Sequence, residues 1–144
     1  MRRVHSVLSI LAILCSCQNK ENAPDLASAS IVGAPATSAI AGDMTSRLTE
    51  QIGAAAGRSI RLEKDNSDYA AALEAAFKGW GYTVIATSVA AKDQKPIEIS
   101  YSLRHVDGQI LAYLATPSVA LGRAYSVTGS LATASSPLSV MQRN

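Results

Sequence analysis

The sequence predicts an α+β domain in which two helices pack on one face of a mainly antiparallel sheet. Before residue 81, apolar residues recur at helical spacing in two stretches. After residue 96, apolar and polar residues alternate, and turn signals divide the chain into short segments. Strands joined by short turns pair antiparallel, and helices then cover one face of the sheet. A signal peptide and a flexible tether are predicted to precede this domain.

The first residues have the order of a secretory signal peptide. Arg2 and Arg3 are followed by a short apolar run and then by the small residue Ser16, directly before Cys17. The apolar run is far shorter than the roughly 20 residues that a membrane-spanning helix needs. We therefore expect residues 1–16 to be removed by cleavage.

The cleavage site indicates a lipid anchor. Leu14 lies three positions before Cys17, an arrangement that resembles the lipobox of bacterial lipoproteins, in which the cysteine is acylated and becomes the new N-terminus. Cys17 is the predicted lipidation site, with palmitate as a fitting acyl group. Cys15 fits less well, because it would place the bulky Leu14 where the signal peptidase requires a small side chain. The alternative is an ordinary secretory signal with two incidental cysteines.

Charge and cysteine content argue against two classes of function. Of the 13 Lys and Arg residues, cleavage removes Arg2 and Arg3, which leaves 11 against 11 Asp and Glu. Nucleic acid binding requires a basic surface, so no nucleic acid partner is predicted. With Cys15 removed and Cys17 acylated, His105 alone cannot complete a zinc site. No metal and no cofactor are therefore expected.

Residues 17–42 are predicted to form the lipidated N-terminus and a flexible linker. A polar segment is followed there by Ala, Ser, Thr, Pro and Gly without a sustained helical or strand period. The apolar pair Ile31-Val32 is alternatively a short strand or a partner-binding patch. A single small domain over residues 43–144 is expected to begin at Asp43, which is a good helix N-cap.

Two helices and a short strand are predicted in the first part of this domain. The helix after Asp43 places three apolar residues on one face: Met44, Leu48 and Ile52. A strand is expected over residues 59–63, and residues 65–67 offer caps for the second helix. Its large side chains, four, four and three residues apart, form a predicted core stripe: Tyr69, Leu73, Phe77 and Trp80. Glycines 79 and 81 end this helix before a strand over residues 82–87.

A meander of strands is predicted in the second part. Strict alternation indicates a strand over residues 97–104, and Asp107-Gly108 predicts a hairpin into a strand over residues 109–115. After a turn, a further strand is expected over residues 119–127. The segment 138–141 is expected as an edge strand.

Arg123 interrupts the apolar face of its predicted strand, which it shares with Tyr125. Burial of an unpaired guanidinium is costly, so Arg123 must pair with an acid, extend to the sheet edge or meet a partner protein. The adjacent Gly122 indicates a close backbone approach. Arginine and tyrosine are enriched at interface hot spots, and Arg123 and Tyr125 are therefore the predicted partner contact.

Catalytic chemistry has little support. His105 lies beside the predicted hairpin turn, and with Asp107 and one of many serines it is the basis of one alternative, a small periplasmic hydrolase. No Gly-x-Ser-x-Gly elbow is present to expose a serine. A second alternative is a cell-envelope lipoprotein that binds peptidoglycan or glycans, which would require an exposed aromatic platform.

Together with the signal and the tether, a series of short motifs resembles the TrbH family of conjugal transfer lipoproteins. The motifs are Ala72-Leu73 to Phe77 running into Gly81-Tyr82, Tyr101-Ser102-Leu103, Gly108, Gly122-Arg123-Ala124-Tyr125, Gly129 and Ser136-Pro137. After the proline, where the family often carries a tryptophan, this chain has Leu138-Ser139-Val140. The resemblance implies a non-enzymatic lipoprotein on the periplasmic face of the outer membrane. Its partners would be channel subunits of the mating-pair-formation apparatus, a type IV secretion system.

Overall fold

The computed structural model describes residues 32–63, 65–86 and 95–144. The elements in these ranges are, in chain order, α1 (Ala34–Ile52), β1 (Ser59–Leu62), α2 (Asp68–Gly79), β2 (Thr83–Ala86), β3 (Ile97–Val106), β4 (Gln109–Ala115), β5 (Val119–Thr128), β6 (Leu131–Ala134) and β7 (Ser139–Gln142). The predicted signal peptide, Cys15 and Cys17 lie outside the described residues. Within the described ranges, neither helix is long and apolar enough to cross a membrane.

The strands form one sheet in the order β2-β1-β3-β4-β5-β6, and β7 also pairs with β5. β1 is parallel to both β2 and β3. All the other pairs are antiparallel. α2 provides the long crossover that the parallel pair β1 and β2 requires. The predicted α+β fold with a mainly antiparallel sheet is confirmed.

Both helices lie on one face of the sheet. α1 packs over β4, β5 and β6, α2 packs against β2, and the two helices contact each other. Strand alternation directs apolar side chains into the space between the layers. The fully or almost fully buried strand residues include Ile60, Leu62, Ile99, Ile110, Leu114 and Leu121.

α1 begins at Ala34, well before the start predicted at Asp43. Pro35 lies in its first turn, where a missing N–H costs little. Ile40 is fully buried and Val32 is 4% exposed, so both belong to the core. The predicted domain boundary and the cap role of Asp43 are therefore wrong. An alanine-rich composition suits a linker, but it also suits a helix that packs closely on a second layer.

The second helix confirms most of the predicted stripe. The Oγ of Ser67 accepts the backbone N–H of Ala70 at 3.1 Å, as expected for a helix cap. Three stripe residues are at most 1% exposed: Tyr69, Leu73 and Phe77. Trp80, in contrast, is 51% exposed, so its predicted place in the core is wrong. The helix ends at Gly79, and Trp80 is its C-cap residue, so the helical spacing does not extend to its side chain.

The strands after residue 96 confirm the predicted meander, with one omission. Asp107 and Gly108 adopt φ values of 50° and 78°, the left-handed conformation that the predicted hairpin requires. β7 confirms the predicted edge strand. β6 was not predicted, because its four residues, Leu-Ala-Thr-Ala, carry little strand signal of their own.

β6 and β7 follow one another along the same edge of β5. Tyr125 pairs with Ala134 and Gly122 with Ser139, so residues 135–138 face only two residues of β5. The extra residues form a bulge at the edge of the sheet. Pro137 lies inside it, where no ladder N–H is needed. The bulge divides what would otherwise be one continuous edge strand.

Truncation tests the revised start of the domain. The free energy of unfolding of a variant that begins at residue 32 should exceed that of a variant that begins at residue 43 by about 3 kcal/mol or more. The shorter variant loses the burial of Val32 and Ile40 and of the small side chains between them. Urea unfolding followed by circular dichroism measures the difference. Equal stabilities would restore the boundary at residue 43.

Candidate functional site

Arg123 lies on the face of β5 that α1 covers. Its Nη1 donates to Oδ2 of Asp43 at 2.9 Å, and its Nε donates to the carbonyl of Ser136 at 3.2 Å. The side chains of Arg123 and Asp43 are only 19% and 29% exposed. The guanidinium therefore joins the first helix to the edge bulge. Of the three possibilities that the sequence left open, pairing with an acid is the one observed.

Tyr125 meets the same carboxylate two residues further along β5. Its hydroxyl donates to Oδ2 of Asp43 at 2.6 Å, and the residue is 2% exposed. Burial, and then the hydrogen bond to Asp43, raise the pKa of Tyr125 above its ordinary value. The phenol therefore stays protonated and acts as a donor throughout the physiological range of pH.

Asp43 is the centre of this group, which we call the Asp43 cluster: Asp43, Arg123, Tyr125 and Ser136. Arg47, one turn further along α1, places its Nε 3.6 Å from the other carboxylate oxygen of Asp43. That pair is more exposed and therefore adds little stability. The carboxylate thus receives donors from both layers of the domain. Its role was missed because the only local signal at Asp43 resembles that of a helix cap.

Ser136 completes the cluster at the bulge. Its Oγ accepts the backbone N–H of Ala124 at 2.9 Å, in place of the carbonyl that a regular strand would supply. The N–H of Ser135 donates to the carbonyl of Ala124 at 2.9 Å. Both polar backbone groups of Ala124 are thereby satisfied although the ladder is interrupted. Two sequence motifs separated along the chain, Gly122-Arg123-Ala124-Tyr125 and Ser136-Pro137, meet at this one place.

The close backbone approach predicted at Gly122 is wrong. A Cβ built on this residue meets no atom within 4 Å, and its backbone is not in the left-handed region. Gly122 pairs with Tyr113 of β4 on the face of the sheet that the helices do not cover. The absence of its side chain leaves that face flat beside Tyr113.

The uncovered face of the sheet carries exposed apolar side chains. Strand alternation directs Val106, Leu111 and Met141 to this face, where they are 40%, 40% and 62% exposed. An ion pair between Arg61 and Glu98, 2.7 Å apart, lies further across it. We call this surface the open sheet face.

His105 lies exposed near the end of β3, next to the hairpin turn. In the ranges that the structure describes, it makes no hydrogen bond to Asp107 or to a serine. The same ranges contain no group of three or more His, Cys, Asp or Glu side chains placed to hold a metal ion. Of the site residues predicted from the sequence, the structure therefore brings together only Arg123 and Tyr125.

These contacts define a small two-layer α+β domain in which a carboxylate of the first helix accepts hydrogen bonds from the sheet. A family model described as "Conjugal transfer protein TrbH" matches residues 19–144. A protein named "Probable conjugal transfer protein TrbH", from Sinorhizobium fredii (strain NBRC 101917 / NGR234), is 53% identical over 148 residues that cover all of both chains. No solved structure gives a significant match. The chain therefore belongs to the TrbH family of conjugal transfer proteins, as its motifs predicted, and this membership supports a role in conjugal transfer.

Replacing Arg123 by Ala tests the structural role of the cluster. The variant leaves the Asp43 carboxylate without its cation and releases the carbonyl of Ser136. We expect a loss of about 2 kcal/mol in the free energy of unfolding, between the values for exposed and for fully buried ion pairs. Arg104→Ala, on an exposed position of β3, is the matched control and should cost less than about 0.5 kcal/mol. Equal losses in urea unfolding would show that the cluster adds no stability.

Proposed function

We propose that the protein is a lipoprotein of the outer membrane, facing the periplasm, that acts without catalysis by holding channel subunits of the conjugal transfer apparatus. Family membership supports the link to conjugal transfer. The order of residues around Cys17 supports the lipid anchor. The near balance of acidic and basic residues favours protein contacts over the handling of nucleic acid.

The open sheet face is the observation that carries the holding role. Neither helix lies over Val106, Leu111 and Met141, and groups of exposed apolar side chains mark surfaces that contact other proteins. Around them the face is flat, since many of its other side chains are Ala, Ser or Thr. A flat surface of this kind suits contact with another ordered protein.

The contact predicted at Arg123 and Tyr125 stays a prediction, and the geometry gives it a specific form. Tyr125 is 2% exposed, so it acts through Asp43 by holding the carboxylate that Arg123 binds. Arg123 in turn holds the bulge through the carbonyl of Ser136. In this proposal, the two residues shape the edge formed by β6 and β7, which the partner meets beside the open sheet face.

One alternative has a specific observation in its favour. A lipoprotein that binds peptidoglycan or glycans requires an exposed aromatic side chain, and Trp80 is half exposed. The hydrolase alternative has none, because His105 lacks a hydrogen-bonded acid or serine within the described residues.

Metabolic labelling tests the anchor. Labelled palmitate should enter the wild-type protein and the Cys15→Ser variant but not Cys17→Ser, because acylation requires the Cys17 thiol. Fractionation should find the unlabelled Cys17→Ser variant outside the outer membrane. Label in that variant, or its continued presence in the outer membrane, would refute the lipid anchor at this residue.

Introducing a charge on the open sheet face tests the holding role. The variant is tested in a strain that lacks its own copy of the gene. There, Leu111→Asp should give a transfer frequency at least about tenfold below that of the wild-type protein, because a charge opposes burial against a partner. The fold should tolerate the change, since residue 111 is exposed and pairs with Arg104. Mating assays and thermal melting measure the two effects.

The control for this experiment is Ala71→Asp. Residue 71 is exposed near the N-terminus of α2, where an acidic side chain is tolerated. Full transfer by Leu111→Asp, or an equal loss from Ala71→Asp, would contradict the role of the open sheet face.

A further inference from the structure

Trp80, the one tryptophan of the chain, is half exposed at the end of α2. It lies between Gly79 and Gly81, which have no side chains that could cover the indole. Within the described residues, the indole N–H has no hydrogen-bond acceptor. A large apolar side chain with an unused donor is therefore presented at the surface.

The loop that follows α1 lies beside the residues that directly follow Trp80. A Cβ built on Gly81 would stand 3.7 Å from Cβ of Ala55, and the hydroxyl of Tyr82 donates to the carbonyl of Gly53 at 2.5 Å. The C-terminal ends of both helices thus form one surface. We call residues 53–57 and 78–81 the helix-end patch.

The backbone geometry of the patch explains why Trp80 protrudes. Left-handed φ values require or favour glycine at three of its positions: Gly53, Gly57 and Gly81, with φ of 82°, 78° and 86°. Alanines occupy the three remaining loop positions, 54–56, and Ala56 has a φ of 42°. The residues next to Trp80 in the chain and those of the adjoining loop therefore have small side chains or none.

Arg58 holds this surface in place. Its Nη2 donates to the carbonyls of Ile52, Gly53 and Ala54, at 2.6, 3.1 and 3.0 Å. These contacts satisfy the carbonyl of the last residue of α1 and those of the two residues that follow it. The patch is therefore ordered before any partner binds, which lowers the entropy cost of binding.

We propose that the helix-end patch is a docking site for another protein of the transfer apparatus, which receives the Trp80 indole in an apolar pocket and offers a carbonyl to its N–H. This proposal rests on the proposed function above. Tryptophan is one of the residue types that dominate interface energetics. The patch is distinct from the open sheet face, since it is formed by the helix layer.

The position of the patch favours a partner over the preceding part of this chain. The chain enters α1 near Val32, whereas the patch lies at the other end of this helix, which is 19 residues or about 28 Å long. A domain held through an anchor at Cys17 would therefore present Trp80 on the side remote from its attachment. On this side, the domain can contact a larger neighbouring protein.

The size of the patch argues against a second copy of this chain. Its two ranges contain nine residues, whereas a stable interface uses about 20 to 30 residues from each partner. A small contact is sufficient when another contact, such as the one proposed at the open sheet face, already holds this protein in the assembly, because the effective concentration of the partner is then high.

The surroundings of Trp80 also favour a protein over a glycan. Sugar hydroxyls require hydrogen-bonding side chains around an aromatic platform. Lys78 is paired with Glu74 at 2.7 Å, and the guanidinium of Arg58 is bound to backbone carbonyls. The patch otherwise consists of glycine, alanine and Trp80.

Three full-length variants test the proposal in a strain that lacks its own copy of the gene. Trp80→Ala should lower transfer at least about tenfold, and Trp80→Phe should lower it less, because a smaller apolar ring still enters the pocket. Ala71→Ser is the control: residue 71 is exposed near the N-terminus of α2, away from the helix-end patch and from the sheet, and the variant should give wild-type transfer. All three should melt within about 2 °C of the wild type, since exposed side chains contribute little to stability.

A photo-crosslinking amino acid at position 80 identifies what lies against the patch. It should capture a subunit encoded in the same transfer region, whereas the same amino acid at position 71 should not. Transfer by Trp80→Ala at the wild-type level, an equal loss from Ala71→Ser, or a fall of more than about 5 °C in the melting temperature of Trp80→Ala would overturn the proposal. Trp80-dependent binding to purified peptidoglycan sacculi would assign the patch to a glycan and also overturn it.

The deletion strain separates the two proposals. If deletion abolishes transfer but Trp80→Ala supports it fully, only the docking site is wrong. If the deletion strain transfers at the wild-type rate, the proposed function is wrong as well.

Discussion

The carboxylate of Asp43 is the polar group through which the helix layer and the sheet are joined. It accepts hydrogen bonds from Arg123 and Tyr125 of β5 between two layers that otherwise meet through apolar side chains. An ion pair of this kind contributes less stability than its Coulomb attraction suggests, because both charges lose part of their hydration. Its larger effect is on geometry: the apolar core permits small shifts of α1 along the sheet, whereas these directional hydrogen bonds favour one position.

That geometry extends to the edge of the sheet. Arg123 binds both Asp43 and the carbonyl of Ser136, so the position of the helix and the shape of the bulge are linked. Exposed edge strands can pair with other chains, and a bulge limits such pairing. The domain consequently offers an interrupted edge, a flat open sheet face and a rigid patch around Trp80. Surfaces facing in different directions suit a protein that contacts more than one neighbour in an assembly.

The parts of the fold that depend on local pattern could be predicted from the sequence. Alternation over residues 97–104 and the Asp107-Gly108 turn identify β3 and its hairpin, because both signals lie within a few neighbouring residues. The start of α1 could not be predicted, since the burial of Ile40 depends on strands far along the chain. Asp43 was interpreted as a cap for the same reason: its partner Arg123 is 80 residues away. The position of Arg123 on an apolar face did indicate a paired or partner-bound guanidinium, although not which acid it meets.

A double-mutant cycle between Asp43 and Arg123 tests most directly whether this pair joins the two layers. The free energies of unfolding of Asp43→Ala, Arg123→Ala and the double variant are compared with that of the wild type in urea. We expect a coupling energy of about 1 to 3 kcal/mol, because the two side chains are partly buried and bonded at 2.9 Å. Additive losses, with a coupling energy below about 0.3 kcal/mol, would show that the two residues act independently and would contradict the account.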